Sequence, residues 1–320
     1  MSLADTAGKI AGMEIRGAGR IARAAAEALA DHARTVTAPG RDAFVAEMQR
    51  AGSVLCATRP TAVSLPNAVH FVLHGCEAAA SAAEARESVL SRAARFIADS
   101  EAAIARIAEY GARHIPDTAT LMTHCNSEAA LACILEARRL GKDITVYATE
   151  VRPRNQGLLT IRTLNDANIP TRYIVDSAAR SYMNEIDLVI VGADAITVNG
   201  AVVNKIGTAQ VALAAHEART NLMVAAETYK FAPRTLLGEL IPIEERAGAE
   251  VLDPAVAASL PFVTIRNPAF DVTPARYVDL IVTEKGAIPP NLAYIVIREY
   301  LGWSIDEFQK TFVIHHQDQD

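Results

Sequence analysis

From residue 118 onward, short apolar runs alternate with helical segments, and that alternation constrains the fold more than anything else in the chain. Residues 118–125, 144–149, 171–175, 188–191 and 222–226 read as strands. Between them, residues 127–140, 158–168, 177–183 and 207–219 carry helical patterns. Near-continuous apolar strands separated by helices form a parallel sheet covered on both faces. Later segments at 262–265 and 278–282 read as further strands, and 291–300 as a last helix. The expected fold is α/β, with a Rossmann-like, doubly wound parallel sheet over residues 113–320.

The first 112 residues have a different texture. Residues 1–12 are small and polar and are expected to fray. Ala-, Leu- and Glu-rich stretches at 21–33, 44–52 and 78–112 read as helices, broken between Leu55 and Asn67 by Pro60 and Pro66. Residues 1–112 thus form a helical N-terminal domain. No internal repeat or low-complexity segment interrupts either part.

Charge and composition exclude several classes. A net charge of −6 argues against a nucleic-acid binder, which would show a basic face. No apolar run approaches the roughly 20 residues that span a bilayer, and the N-terminus lacks a signal-peptide pattern. A cytoplasmic protein is expected. The four cysteines show no CxxC pairing, which argues against zinc. His70 and His74 stand four apart, a spacing that can hold a metal, but no third ligand is suitably spaced nearby, so no metal is expected.

In an open α/β sheet, ligands bind outside the C-terminal ends of the strands. Cys125, Glu150 with Arg152, Asp176, Asp194 and Lys230 all stand at such ends. Cys125 falls between a strand and a helix N-terminus, a position that lowers a thiol's pKa. Asp194 follows Leu188–Gly192 and can handle a proton if burial raises its pKa. Asn204, Lys205 and Lys230 can bind anionic oxygens. Gly17 and Gly19, just before a helix, can offer amides to a phosphate, with Arg16 and Arg59 adding donor forks. Each also has an ordinary reading, as turn glycine, surface arginine or buried thiol. There is no GxGxxG after a strand, no P-loop and no GxSxG elbow, so no dinucleotide is favoured.

Taken in order, Arg16–Gly19, Arg59–Val63, His124–Ser127, Glu150–Pro153, Gly192–Asp194 and Asn204–Gly207 resemble one family. It joins methylthioribose-1-phosphate isomerase, ribose-1,5-bisphosphate isomerase and the α, β and δ subunits of translation initiation factor 2B. The resemblance covers nearly the whole chain. It is greatest to the archaeal ribose-1,5-bisphosphate isomerases, through Arg16–Gly19, Thr123–Ser127 and the ending Ile288–Trp303. Methylthioribose-phosphate isomerases usually carry a Cys-Asn-Thr-Gly turn, whereas this chain has Cys125-Asn126-Ser127-Glu128. The initiation-factor subunits generally lack the cysteine and aspartate together.

The resemblance implies conversion of ribose 1,5-bisphosphate to ribulose 1,5-bisphosphate, with Cys125 and Asp194 as the acid–base pair. One phosphate falls to Arg16, Gly17, Ala18 and Gly19 with Arg59, the other to Ser127, Asn204, Lys205 and Lys230. It further implies no cofactor, AMP as an activator, dimers that build hexamers, and a place in nucleotide salvage ahead of a carbon-fixing enzyme. The alternatives are a methylthioribose-1-phosphate type of isomerase and a non-catalytic regulatory subunit.

Overall fold

A computed structural model describes residues 2–12, 14–15, 17–59 and 62–301. The chain divides into two compact units. One comprises residues 1–103, 228–233 and the chain from 295; the other comprises residues 104–227 and 234–294.

The first unit is built on helices α1 (Leu3–Ala11), α2 (Ala18–Thr35), α3 (Arg41–Ala57), α4 (Ser64–Leu73) and the start of α5 (Ala82–Arg113). Residues 2–11 do not fray as expected. Ser2 caps α1 by accepting from the Asp5 amide at 3.1 Å, and Ile10 is fully buried at helical spacing from Ala7. Ile21, Leu29, Phe44, Met48, Leu55 and Leu65 fill the core of this unit. The division lies inside α5 rather than at its end, because Ile107 and Ala112 on its last turns belong to the core of the second unit.

The second unit carries the parallel sheet. Its elements are β1 (Thr118–Thr123), α6 (Glu128–Arg139), β2 (Asp143–Thr149), α7 (Gly157–Asp166), β3 (Thr171–Ile174), α8 (Ala179–Tyr182), β4 (Leu188–Gly192), β5 (Ala195–Thr197), β6 (Val202–Lys205), α9 (Thr208–Ala218) and β7 (Asn221–Ala225). After β8 (Phe231–Ala232), in the first unit, come α10 (Pro254–Ala258), β9 (Phe270–Thr273), β10 (Leu280–Thr283), β11 (Gly286–Ile288) and α11 (Ala293–Leu301).

The main sheet runs β11-β10-β7-β4-β1-β2-β3, parallel except for the β10–β11 hairpin. All five residues of β4 are buried, as a strand covered on both faces requires. The strand order reverses between β1 and β4, so the switch point of the doubly wound sheet lies there. Residues 262–265 are not a strand: β11 already occupies the edge beside β10, and Phe262 is left fully exposed. After Asp194 the chain forms a hairpin, β5 against β6, with β9 pairing antiparallel on the other side of β6. No helix among the described residues is long and apolar enough to cross a membrane.

Candidate active site

The end of β1 turns sharply. Cys125 has φ 73°, a left-handed conformation that costs a non-glycine residue about 1–2 kcal/mol. It reverses the chain between strand and helix, so that Ser127 caps α6 by accepting from the Ala130 amide at 3.3 Å. The Thr160 hydroxyl on α7 holds the turn, 2.9 Å from the Cys125 carbonyl and 3.1 Å from Asn126 Oδ1. Cys125 Sγ lies 3.7 Å from Gln156 Oε1.

The expectation of a low-pKa thiol is not met. Burial pushes the Cys125 thiol up to about 11, and Lys205 opposes the shift without overcoming it. A helix terminus acts over about one turn, whereas the protein atoms packed around the sulfur desolvate the thiolate directly. At rest the thiol is protonated.

On the neighbouring strand, β4 ends at Gly192 and delivers Asp194 to the same rim. The Asp194 amide donates to the Val203 carbonyl at 2.9 Å, which starts the β5–β6 hairpin. Asp194 is exposed, so the burial envisaged for a proton donor is absent from the chain alone. Its charge is felt at both Cys125 and Lys205.

The hairpin returns at Asn204 and Lys205, both buried. Asn204 Nδ2 donates to Thr208 Oγ1 at 3.0 Å, and that hydroxyl donates to the Lys205 carbonyl at 2.6 Å. Lys205 Nζ sits 4.5 Å from the centroid of the Phe270 ring, a cation–π seat. Burial lowers the lysine's pKa. Asp271, beside Phe270 on β9, accepts from the Gly207 and Ala209 amides at 2.7 and 3.1 Å and caps α9 from outside the helix.

Burial raises the Asp271 carboxyl from 3.8 to about 6, against the pull of those two amides. The folded chain therefore takes up a proton between about pH 6 and pH 4 that the unfolded chain does not, and is stabilised as the pH falls through that window. Measured by urea unfolding, the stability of wild type relative to Asp271→Asn should grow from pH 7 to pH 4. A margin that narrows over this range contradicts the assignment.

Two residues to which the sequence assigned no role join the rim together. His124 is buried; its Nε2 donates to the Ile206 carbonyl at 2.8 Å, and its Nδ1 accepts from Thr149 Oγ1 at 2.7 Å. The carbonyl can only accept, which assigns the tautomer. Burial lowers the pKa of His124, keeping it neutral. It clips the Cys125 turn to the Lys205–Gly207 turn. Asp176, one of the rim carboxylates, accepts from the Val151 and Arg152 amides at 2.9 and 2.8 Å and so shapes the loop that carries Gln156. The signal for both was their place at strand ends; what they bind was not readable.

Cys125, Ser127, Asp194, Asn204 and Lys205 therefore meet in the second unit. The first unit holds Gly17, Ala18, Gly19, Arg59 and Lys230. Gly17 (φ 87°) is the N-cap residue of α2, and the Ser64 hydroxyl on α4 donates to the Ala18 carbonyl at 3.1 Å. Asn67 on the same helix donates to the carbonyls of Tyr229 and Phe231 at 2.9 and 2.7 Å, bracketing the buried Lys230. Arg59, half-buried, lies on the turn before α4. Arg16 lies outside the described residues.

Known proteins are similar to this chain over most of its length. The profile of the Initiation factor 2 subunit family matches residues 14–290. Ribose 1,5-bisphosphate isomerase of Methanocaldococcus jannaschii is 52% identical over 299 residues, covering 93% of this chain and 95% of that protein. The Archaeoglobus fulgidus enzyme of the same name is 52% identical over 315 residues, covering 98% of each. Among solved structures, a Pyrococcus horikoshii translation initiation factor eIF-2B superposes with a TM-score of 0.75 at 32% identity, over 90% of this chain and 97% of that one. The chain belongs to the Initiation factor 2 subunit family.

Proposed function

We propose that this chain is an aldose–ketose isomerase that converts ribose 1,5-bisphosphate to ribulose 1,5-bisphosphate. The observation that carries the reading is the meeting of a thiol and a carboxylate, Cys125 and Asp194, on adjacent strand ends at the switch point, beside the buried Lys205. The names of relatives at 52% identity support the same substrate.

The anomeric oxygen of the substrate carries phosphate, so the ring cannot open as a free hemiacetal does. Asp194, as the acid, gives its proton to the ring oxygen while the bond from C1 to that oxygen breaks. Cys125, as thiolate, takes the C2 proton; the C–H pair becomes the C1–C2 double bond of an enol phosphate. Cys125 then returns that proton to C1, and the C2 hydroxyl proton passes to Asp194 as the C2 carbonyl forms. Both groups end as they began. Substrate lying over the exposed Asp194 supplies the burial that favours its protonated form. Lys205 favours the thiolate and, with Ser127 and Asn204, offers donors to a phosphate. The α2 amides at Gly17–Gly19, with Arg59, form an anion-binding set in the first unit.

AMP activation, self-association and a place in nucleoside monophosphate salvage belong to the same reading and rest on resemblance.

Incubation with ribose 1,5-bisphosphate and with methylthioribose 1-phosphate tests the assignment. Ketose is expected from the first. Turnover of the second alone would make the chain a methylthioribose-type isomerase, and turnover of neither a binding subunit. Asp194→Asn should lower kcat by about 10²–10⁴-fold, the range for a lost general acid. A near-wild-type kcat would remove Asp194 from the proton pathway.

A further inference from the structure

A cavity opens in the second unit beside the Cys125 thiol. Arg152, Gln156, Lys205, Arg246 and Glu250 line it, and Gln156 Oε1 is the atom 3.7 Å from Cys125 Sγ. Its cations are Arg152, Arg154, Lys205 and Arg246. Arg154 is bonded to Glu250, and Arg246 donates from Nε to Glu244 at 3.1 Å. Four cations against two carboxylates leave an excess of positive charge in a confined space. Nothing in the acid–base chemistry uses Arg246.

The arginine is built in, not draped over the surface. Its side chain is only 17% exposed. Its backbone amide donates to the Asn267 carbonyl at 2.9 Å, and Asn267 is itself buried. The Nε bond to Glu244 fixes the plane of the guanidinium, and a guanidinium so held is pre-organised for a phosphate. Its charge is felt at both Cys125 and Lys205.

Resting on the isomerase reading, we infer that Arg246 binds substrate and that its cavity is the subsite for the C1 phosphate. The thiol works at C2, and the cavity begins beside the thiol. The carbon that bears the first phosphate, C1, is bonded directly to C2, whereas the phosphate on C5 lies across the ring. Arg246 and Lys205 then clamp the group that stays attached to the reacting carbon throughout the proton transfer. Because the phosphate keeps its charge and its place from substrate to product, the clamp binds ground state and transition state alike and acts on KM.

The test compares Arg246→Gln and Arg246→Lys with wild type. Arg246→Gln should raise KM by about 10- to 100-fold, the worth of a charge-assisted bond, while kcat changes far less. Arg246→Lys keeps the charge and should recover part of the loss. Competitive inhibition by ribose 1-phosphate should weaken with KM, and inhibition by ribose 5-phosphate should not. An unchanged KM, a fall confined to kcat, or weakened inhibition by the 5-phosphate alone overturns the proposal. A readout independent of turnover keeps it separate from the isomerase reading. Inorganic phosphate should protect Cys125 from iodoacetamide, followed by peptide mass spectrometry, in wild type and not in Arg246→Gln. Equal protection in both, or none in wild type, refutes the subsite even if ketose is formed; a wild type that forms no ketose refutes the isomerase reading instead.

Discussion

Replacing Cys125 with serine should lower kcat on ribose 1,5-bisphosphate by about 10²–10⁴-fold, the range expected when a general base is lost. Serine preserves the shape of the turn but not its chemistry, because a hydroxyl is a far weaker acid than a thiol and supplies no anion. The pH profile carries the same prediction further. With the thiol pushed up to about 11 by burial, the thiolate is a minor species at neutral pH. At saturating substrate, where the covered Asp194 stays protonated, the kcat of the wild type should therefore climb with pH by about tenfold per unit, as a scarce ionised base requires. The rise should stop where Lys205, whose own pKa is lowered, loses its charge. A plateau already reached at pH 7, or a Cys125→Ser variant of nearly normal kcat, would show that this sulfur is not the base.

Gly207→Ala should be costly for two separate reasons. The backbone there has φ 102°, and a Cβ would lie 2.8 Å from His124 Cε1 and 3.0 Å from Nε2. The left-handed backbone costs a residue with a Cβ about 1–2 kcal/mol. Overpacking against a buried ring adds about 1–3 kcal/mol, for a total of about 2–5 kcal/mol. His124 cannot yield cheaply, because both its ring nitrogens are bonded, to Thr149 and Ile206. Gly141→Ala is the comparison: its φ is 86°, but nothing lies within 4 Å of the added Cβ. Equilibrium unfolding should show the smaller, backbone-only cost for Gly141→Ala. Equal losses would mean that the contact with His124 constrains nothing. Because Lys205 sits two residues away, Gly207→Ala should also raise KM, and Gly141→Ala should not.

The comparison of Asp194 and Cys125 shows where local reasoning reached its limit. Both were legible as strand-end residues, because an apolar run followed by Gly-Ala-Asp or by His-Cys places a reactive group on the rim of a parallel sheet. Their protonation was not. Cys125 was expected to be acidic from its helix N-terminus and is instead made weakly acidic by burial. Asp194 could act as an acid if burial raised its pKa, and in the chain alone it is exposed. Desolvation depends on every atom within several ångströms, and most of those atoms come from distant segments: Lys205 on β6, Gln156 ahead of α7, and Arg246 in the irregular stretch before β9. Arg246 itself was invisible because its neighbours in sequence, Glu244 and Glu245, make it look like part of a solvated charge cluster.

The sequence by itself determined the alternation of strands and helices, the helical character of the first part, and the strand ends that carry chemistry. These depend on periodicity and turn residues, which are local properties. Tertiary structure decided which ends are neighbours. The order β7-β4-β1-β2 sets Asp194 beside Cys125, although nearly seventy residues separate them. It also decided that residues 262–265 find no sheet edge, that β9 seats Lys205 on Phe270 and caps α9 with Asp271, and that the thiol is protonated at rest. Strand pairing and desolvation are non-local: each is settled by what the rest of the chain packs against a residue, and no window of sequence contains that.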